Sequence, residues 1–197
     1  MTPLPQALLE SVAAEAVREG LADALYTRVR TPIGDLLVVT AEGGAVVRVG
    51  FHEDPDDVIL AGVAAGIGPR VVRSDAELAI VREALEAFFE EGSHTELNVP
   101  YDLRLMRSPF RRVVLEELAR THRGETLRYG ELATRVGNPK AARAVGTACA
   151  TNPIPIIVPC HRVLPSTGGV GSYGGGPPRK VQLLEIEGAL PQQQRLS

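Results

Sequence analysis

Apolar positions in the first 25 residues recur at helical spacing. Leu8, Leu9, Val12, Ala13, Ala16, Val17 and Leu21 predict an amphipathic helix there. The period then shortens to short β-branched runs at 25–30, 36–40 and 45–51, split by the turn signals Thr31-Pro32-Ile33-Gly34-Asp35 and Glu42-Gly43-Gly44. They predict a three-stranded antiparallel meander. Helical periodicity returns at 55–64, with Asp54 placed to cap it, and at 75–91, where Leu78, Val81, Leu85, Phe88 and Phe89 form a stripe to bury. Residues 97–99 predict one more strand. Ser108-Pro109-Phe110 is a helix start, and the helix at 110–121 offers Val113, Val114, Leu115 and Leu118 to a core. Two short helices follow at 129–136 and 139–151, joined by Gly137-Asn138-Pro139, which reads as a stop, a cap and a first-turn proline. A last helix spans 180–188, packing Val181, Leu183, Leu184 and Ile186.

Composition narrows the class. Hydrophobic residues at 44% and charged residues at 23% of 197 suit a globular domain with a real core, not a disordered chain. No apolar run reaches membrane-spanning length, and the early Glu10 argues against a secretory signal. The two cysteines, Cys149 and Cys160, do not make a disulfide framework or a four-ligand zinc site, so the expectation is a protein of the reducing cytoplasm. Charge divides the chain. Residues 1–100 hold 7 Lys/Arg against 17 Asp/Glu, and residues 101–197 hold 14 against 7. Charge and composition both change at Pro100-Tyr101-Asp102, which predicts an N-terminal lobe at 1–99, a C-terminal lobe at 100–190 and a tail at 191–197. The basic lobe is a candidate for contact with a polyanion; two solvated faces of opposite bias explain the same numbers.

The helix pair at 129–151 has the layout of a helix-turn-helix. Its second helix, with Ala141, Ala142, Ala144, Gly146 and Ala148, lacks side chains that read base edges. It offers a thin profile and one long cation, Arg143, which suits close approach to a narrow groove. A lone arginine on a helix is more often a solvated surface residue. Next, three prolines at 153, 155 and 159 forbid a helix and predict a stiff, extended run into Cys160. A cysteine in an apolar run is commonly inert, yet His161 and Arg162 beside it favour a thiolate, and a base next to a thiol is the arrangement for nucleophilic attack. Cys149 reads as an inert core residue. The loop Gly168 to Gly176 lacks the Lys-Ser/Thr ending of a phosphate cradle.

The ordered blocks Asn138-Pro139-Lys140-Ala141-Ala142-Arg143-Ala144-Val145-Gly146, Asn152-Pro153, Pro159-Cys160-His161-Arg162-Val163, Gly171-Ser172-Tyr173-Gly174-Gly175 and Leu183-Leu184-Glu185-Ile186-Glu187-Gly188 resemble the O6-alkylguanine-DNA alkyltransferase family. The resemblance covers about residues 108–188; the N-terminal half is similar only in general form. It implies an α+β fold, with a small antiparallel-sheet, ribonuclease H-like N-terminal lobe and a mainly helical C-terminal lobe carrying the helix-turn-helix. It implies single-use DNA repair, in which Cys160 takes the alkyl group from O6-alkylguanine, and from O4-alkylthymine, as a permanent thioether. By the same resemblance His161 is the base, acting through a water, Glu187 orients it, Tyr129 donates to the leaving guanine, and Asn152 ties helix to active-site strand. Arg143 takes the place of a base flipped out through the minor groove, beside the helix surface of Ala141, Ala142, Gly146, Tyr129 and Arg128. Tyr173, Gly174, Val163 and Pro155 form the alkylguanine pocket. No cofactor and no metal are expected, the partner is double-stranded DNA and not a membrane, and the protein is expected to be a monomer.

Two departures stand out. Gly174 replaces a serine found in some members, which opens the pocket to bulkier alkyl groups. Arg128 holds a cap position often taken by serine, a loss worth about 1 kcal/mol unless Thr126 substitutes. Three other readings remain open on sequence: a non-enzymatic alkylguanine sensor of the same fold, a helix-turn-helix regulator, and a cysteine hydrolase, which would need turnover and an oxyanion hole that the sequence does not place.

Overall fold

The β-branched runs pair as predicted in a computed structural model that describes residues 6–190. β1 (Ala24–Val29), β2 (Leu36–Ala41) and β3 (Val46–Phe51) form the antiparallel meander, with Val29 opposite Leu36 and Leu36 opposite Phe51. A fourth strand, β4 (Val71–Arg73), joins the other edge of β1 in parallel, so the sheet is mixed, in the order β3-β2-β1-β4. Three residues are too short to show alternation, which is why the pattern missed it. Residues 97–99 form no strand; instead Val46 bridges Tyr101, with Asp102 N–H donating to Val46 O at 2.9 Å.

This sheet belongs to one of two units, made of residues up to 87 together with 98–105. β2 is buried along its whole length. Leu37, Val39 and Ala41 pack on one face against Ile59 and Val63 of α2 (Asp56–Gly66), each such aliphatic burial contributing about 1.5–3 kcal/mol. Pro55, not Asp54, stands at the cap of α2, and Asp54 instead accepts from Phe51 N–H at 3.2 Å. Asp56 and Asp57 in the first turn match the positive end of the helix dipole. The opening helix, α1 (Gln6–Arg18), departs from its pattern. Leu8, Leu9 and Val12 are exposed, and Ala13 is the buried residue. The Glu10 carboxylate anchors it, accepting from Ser74 Oγ and Asp75 N–H, both at 2.9 Å. α3 (Ala79–Phe89) starts four residues later than predicted because Asp75 stays in the turn, accepting from Thr27 Oγ1 at 2.6 Å. Its predicted stripe is buried throughout.

The second unit comprises residues 88–97 and those from 106 onward. α4 (Pro109–Leu118) has Ser108 as its cap, and buries Val114, Leu115 and Leu118; Val113 is exposed, against expectation, because it falls off that stripe. β5 (Leu127–Arg128) leads into α5 (Tyr129–Arg135). α6 (Ala142–Ala150) begins a turn later than predicted: Asn138 O accepts from Ala141 N–H at 2.9 Å, closing residues 138–141 into a turn of their own. Gly137, at φ 75°, provides the left-handed step out of α5 that a side chain would oppose. A 3-10 turn (Cys160–Arg162) runs into β6 (Val163–Leu164), which pairs in parallel with β5, and α7 (Pro177–Ile186) closes the described chain. The predicted tail at 191–197 lies outside the described residues. No helix among them is long and apolar enough to cross a membrane.

Candidate functional site

Every ingredient of the site comes from the second unit. The run into Cys160 is not extended. Its prolines exclude a helix, but Val158 N–H donates to Ile154 O and Cys160 N–H to Val158 O, coiling 154–160 into successive turns. Ile156 sits there at φ 76°, a left-handed conformation costly for a β-branched residue. Asn152 holds this coil. Its Nδ2 donates to Val158 O at 2.8 Å and to Cys160 Sγ at 3.2 Å, and its Oδ1 accepts from Ile154 N–H at 3.1 Å.

Cys160 is only 4% exposed, yet it lines a cavity of about 130 Å³. Tyr129 of α5, Gly146, Cys149 and Ala150 of α6, and Ser172, Tyr173 and Gly174 of the glycine-rich loop complete the walls. Of the predicted pocket residues, Tyr173 and Gly174 face this space, while Val163 and Pro155 are buried outside its lining. On α6, Arg143 is exposed and Ala142 is half-buried, as is Ala141 in the turn before it. Arg128, also exposed, donates through Nη1 to Pro165 O, and its own N–H donates to Glu131 Oε2 at 2.6 Å, the reach-back half of a capping box.

Beside the cysteine lies a buried ionic cluster. His161 Nε2 and Glu187 Oε1 are 2.9 Å apart. Arg162 grips the same carboxylate with two donors, Nε to Oε2 at 2.9 Å and Nη2 to Oε1 at 2.8 Å, and donates through Nη1 to Thr121 O. Burial alone would raise the Glu187 carboxyl, but the His161 and Arg162 hydrogen bonds outweigh it and hold the pKa at about 2. An ionised carboxylate only accepts, so His161 carries its proton on Nε2. Its Nδ1, buried, has no hydrogen-bond partner among the described residues. Burial pushes the imidazole below its ordinary value, against the pull of Glu187, so it is neutral and basic at Nδ1.

The thiols differ. Burial raises Cys160, with the Asn152 amide and the Lys180 ammonium acting to lower it. Burial, reinforced by Cys160, pushes Cys149 up to about 12. Lys180 itself is buried, donating to Val163 O at 2.6 Å and Ser172 O at 3.3 Å. Among the described residues, no group of three or more His, Cys, Asp or Glu is placed to hold a metal. The arrangement is a thiol on a cavity wall, an adjacent imidazole with a free basic nitrogen, and a clamped anion behind it.

Three parts of this cluster escaped the sequence reading: the Arg162 clamp, the buried Lys180 and the presence of Cys149 in the cavity. Lys180 did leave a signal. Lys180, Leu183, Leu184 and Glu187 follow the spacing of one buried helix face.

Comparison with known proteins sorts these features. Residues 109–189 match the family described as 6-O-methylguanine DNA methyltransferase, DNA binding domain. A methylated-DNA-protein-cysteine methyltransferase of Haemophilus influenzae is 34% identical over 165 residues, 82% of this chain and 85% of that protein. The chain belongs to the methylated-DNA-protein-cysteine methyltransferase family. Its mycobacterial relatives in that family are more similar over less length. The one from Mycolicibacterium paratuberculosis is 49% identical over 105 residues, and the chain spans 62% of its length. Structures of the Mycobacterium tuberculosis O6-methylguanine methyltransferase resemble this one with TM-score 0.71 at 34% identity, covering 86% of this chain and 96% of that one. An equally similar structure shows the Mycobacterium tuberculosis OGT in complex with DNA. The α+β class of these methyltransferases is shared here, with an N-terminal small mixed sheet and a helical C-terminal part.

Proposed function

We propose that this protein repairs DNA by moving the alkyl group of O6-alkylguanine, and of O4-alkylthymine, onto Cys160, once per molecule and irreversibly. The observation that carries this reading is the Cys160 sulfur on a cavity wall, next in sequence to a buried imidazole-carboxylate pair. Sulfur attacks the alkyl carbon; the S–C bond forms as the C–O6 bond breaks, and guanine leaves with the electron pair and gains a proton. Because burial raises the thiol, attack needs a base, and His161 takes the proton at Nδ1 through a water. Burial raises the Tyr129 hydroxyl too, which keeps it protonated and able to donate to the leaving ring.

O6 lies inside the duplex stack, so the nucleotide must be flipped out at a cost of a few kcal/mol. We place α5 and α6 as the helix-turn-helix, with α6 in the minor groove. Arg143 fills the gap left by the base, Ala141, Ala142 and Gly146 allow close approach, and Arg128 lies beside them. Tyr173 and Gly174 wall the flipped base, and the Cys160 and Val163 carbonyls meet the guanine amine. Val163 O keeps one lone pair for this beside Lys180. The protein acts as a monomer in the cytoplasm, where two free thiols persist.

Incubation with a duplex containing O6-methylguanine tests the reading. One methyl per protein, on the Cys160 peptide, is expected; an unmodified protein that still binds the lesion would point to the sensor alternative. Arg143→Ala should slow duplex repair about tenfold or more while affecting reaction with free O6-benzylguanine far less, since only the duplex needs a stand-in for the base. Equal losses on both substrates would remove that role from Arg143. DNA affinity should fall as salt rises, through counterion release; a flat response would exclude the basic half as the DNA surface.

A further inference from the structure

Glu187 follows the last residue of α7, at the negative end of its dipole, and it is buried. Both conditions disfavour a carboxylate. Its charge survives because the 3-10 turn delivers two successive donors, His161 and Arg162, and the two share one oxygen: Oε1 lies 2.9 Å from His161 Nε2 and 2.8 Å from Arg162 Nη2. The guanidinium is fixed on its far side by Thr121 O, and Glu96 lies at its edge, 3.9 Å from Nη2. A carboxylate held by one imidazole alone could rotate and present either oxygen. Held by a fork, it has one orientation.

Resting on the acceptor role proposed for Cys160, we propose that Arg162 is a positioning residue: by clamping both Glu187 oxygens it fixes His161 in the Nε2–H tautomer and limits how strongly Glu187 favours the imidazolium. The second effect matters as much as the first. A base is useful only while unprotonated, and an unshared carboxylate 2.9 Å away would draw a proton onto the ring. Drawing charge from Oε1 into the guanidinium weakens that pull. The other groups around the ring are Lys180 from α7, whose charge also favours the neutral form, Cys160 beside it in the chain, and Tyr173, whose ring stands edge-on with centroids 6.4 Å apart. Arg123 acts on Glu187 from the preceding loop, as its neighbour in charge.

A merely structural brace predicts lost stability; a positioning role also predicts a shifted titration. Ring-nitrogen NMR shifts of His161, assigned by comparison with His161→Gln, report tautomer and pKa without any need for activity. Single-turnover reaction with free O6-benzylguanine gives the pH profile without DNA binding. Wild type should show the Nε2–H tautomer. In Arg162→Gln the His161 titration, and the acid limb of the rate, should move up by about one pH unit as the guanidinium charge is lost. In Glu187→Gln both should move down. Arg162→Lys keeps the charge and loses the fork, so its limb should stay near the wild-type pH while the maximal rate falls about tenfold. A His161 titration that stays or moves down in folded Arg162→Gln overturns the proposal. If that variant does not fold, Arg162→Lys decides, and an unchanged maximal rate there overturns it. A wild-type protein that accepts no benzyl group, with the NMR shifts as expected, removes the acceptor role and leaves the clamp on His161 standing.

Discussion

Cys160→Ser should transfer no alkyl group within the time the wild type needs to react completely, a loss on the order of 10⁴-fold or more. The substitution is small, and a serine hydroxyl can keep the Asn152 hydrogen bond that the sulfur accepts at 3.2 Å, so the fold around it should survive. What disappears is the proposed nucleophile. A hydroxyl ionises far above the thiol range, and His161, already pushed below the ordinary imidazole value, is too weak a base to make up the difference. Cys149 provides an internal control. It lines the same cavity, but its thiol sits at about 12, so almost none of it is ionised at neutral pH. Intact and peptide masses after exposure to O6-methylguanine DNA read the outcome. A methyl on the Cys149 peptide, or a methyl gained by Cys160→Ser, would place the acceptor elsewhere.

How far the sequence reached depended on the range of the forces involved. The meander was legible because β-branched runs and glycine turns are local signals, and so were α2, α3 and α4. β4 was not, since three residues paired to a strand over 40 positions away leave no local period. The opening helix was seen but its burial was misread. Its leucines lie in the right order for an amphipathic face, yet what fixes α1 is a carboxylate on a distant turn. At the site, the cysteine, its histidine, Glu187 and Asn152 stood in motifs specific enough to name. Their geometry could not be read there, because it depends on a coil of turns that the prolines alone made look extended. Arg162 was visible only as a charge near a thiol. Its actual partner is 25 residues away and acquires meaning only once α7 brings Glu187 back to the turn.

That long-range pair yields the second large effect. Glu187→Gln keeps the shape and removes the charge, leaving the Arg162 guanidinium buried without its anion, and should cost about 3–5 kcal/mol at neutral pH. It should also slow alkyl transfer by about 10² to 10⁴-fold, because an amide does not enforce the Nε2–H tautomer. The stability loss must depend on pH in a defined direction. Glu187 holds its proton less tightly folded, at about 2, than unfolded, at an ordinary carboxyl value near 4.5. Its contribution is therefore complete above about pH 4.5 and drains away as pH falls towards 2. Once protonated, wild-type Glu187 resembles the glutamine, so the gap in unfolding free energy between the two proteins should narrow over that window. His161 adds an earlier acid loss: buried and neutral, it resists a proton that the unfolded chain accepts below about 6.5, so wild-type stability starts to decline there. Glu187→Gln, which removes the group that favours the imidazolium, should lose stability more steeply across that first range. Urea unfolding of both proteins from pH 8 to pH 3 measures the two limbs separately. A gap that stays constant down to pH 3 would mean that Glu187 is not held ionised by His161 and Arg162, and the charge relation on which the site's chemistry rests would have to be redrawn.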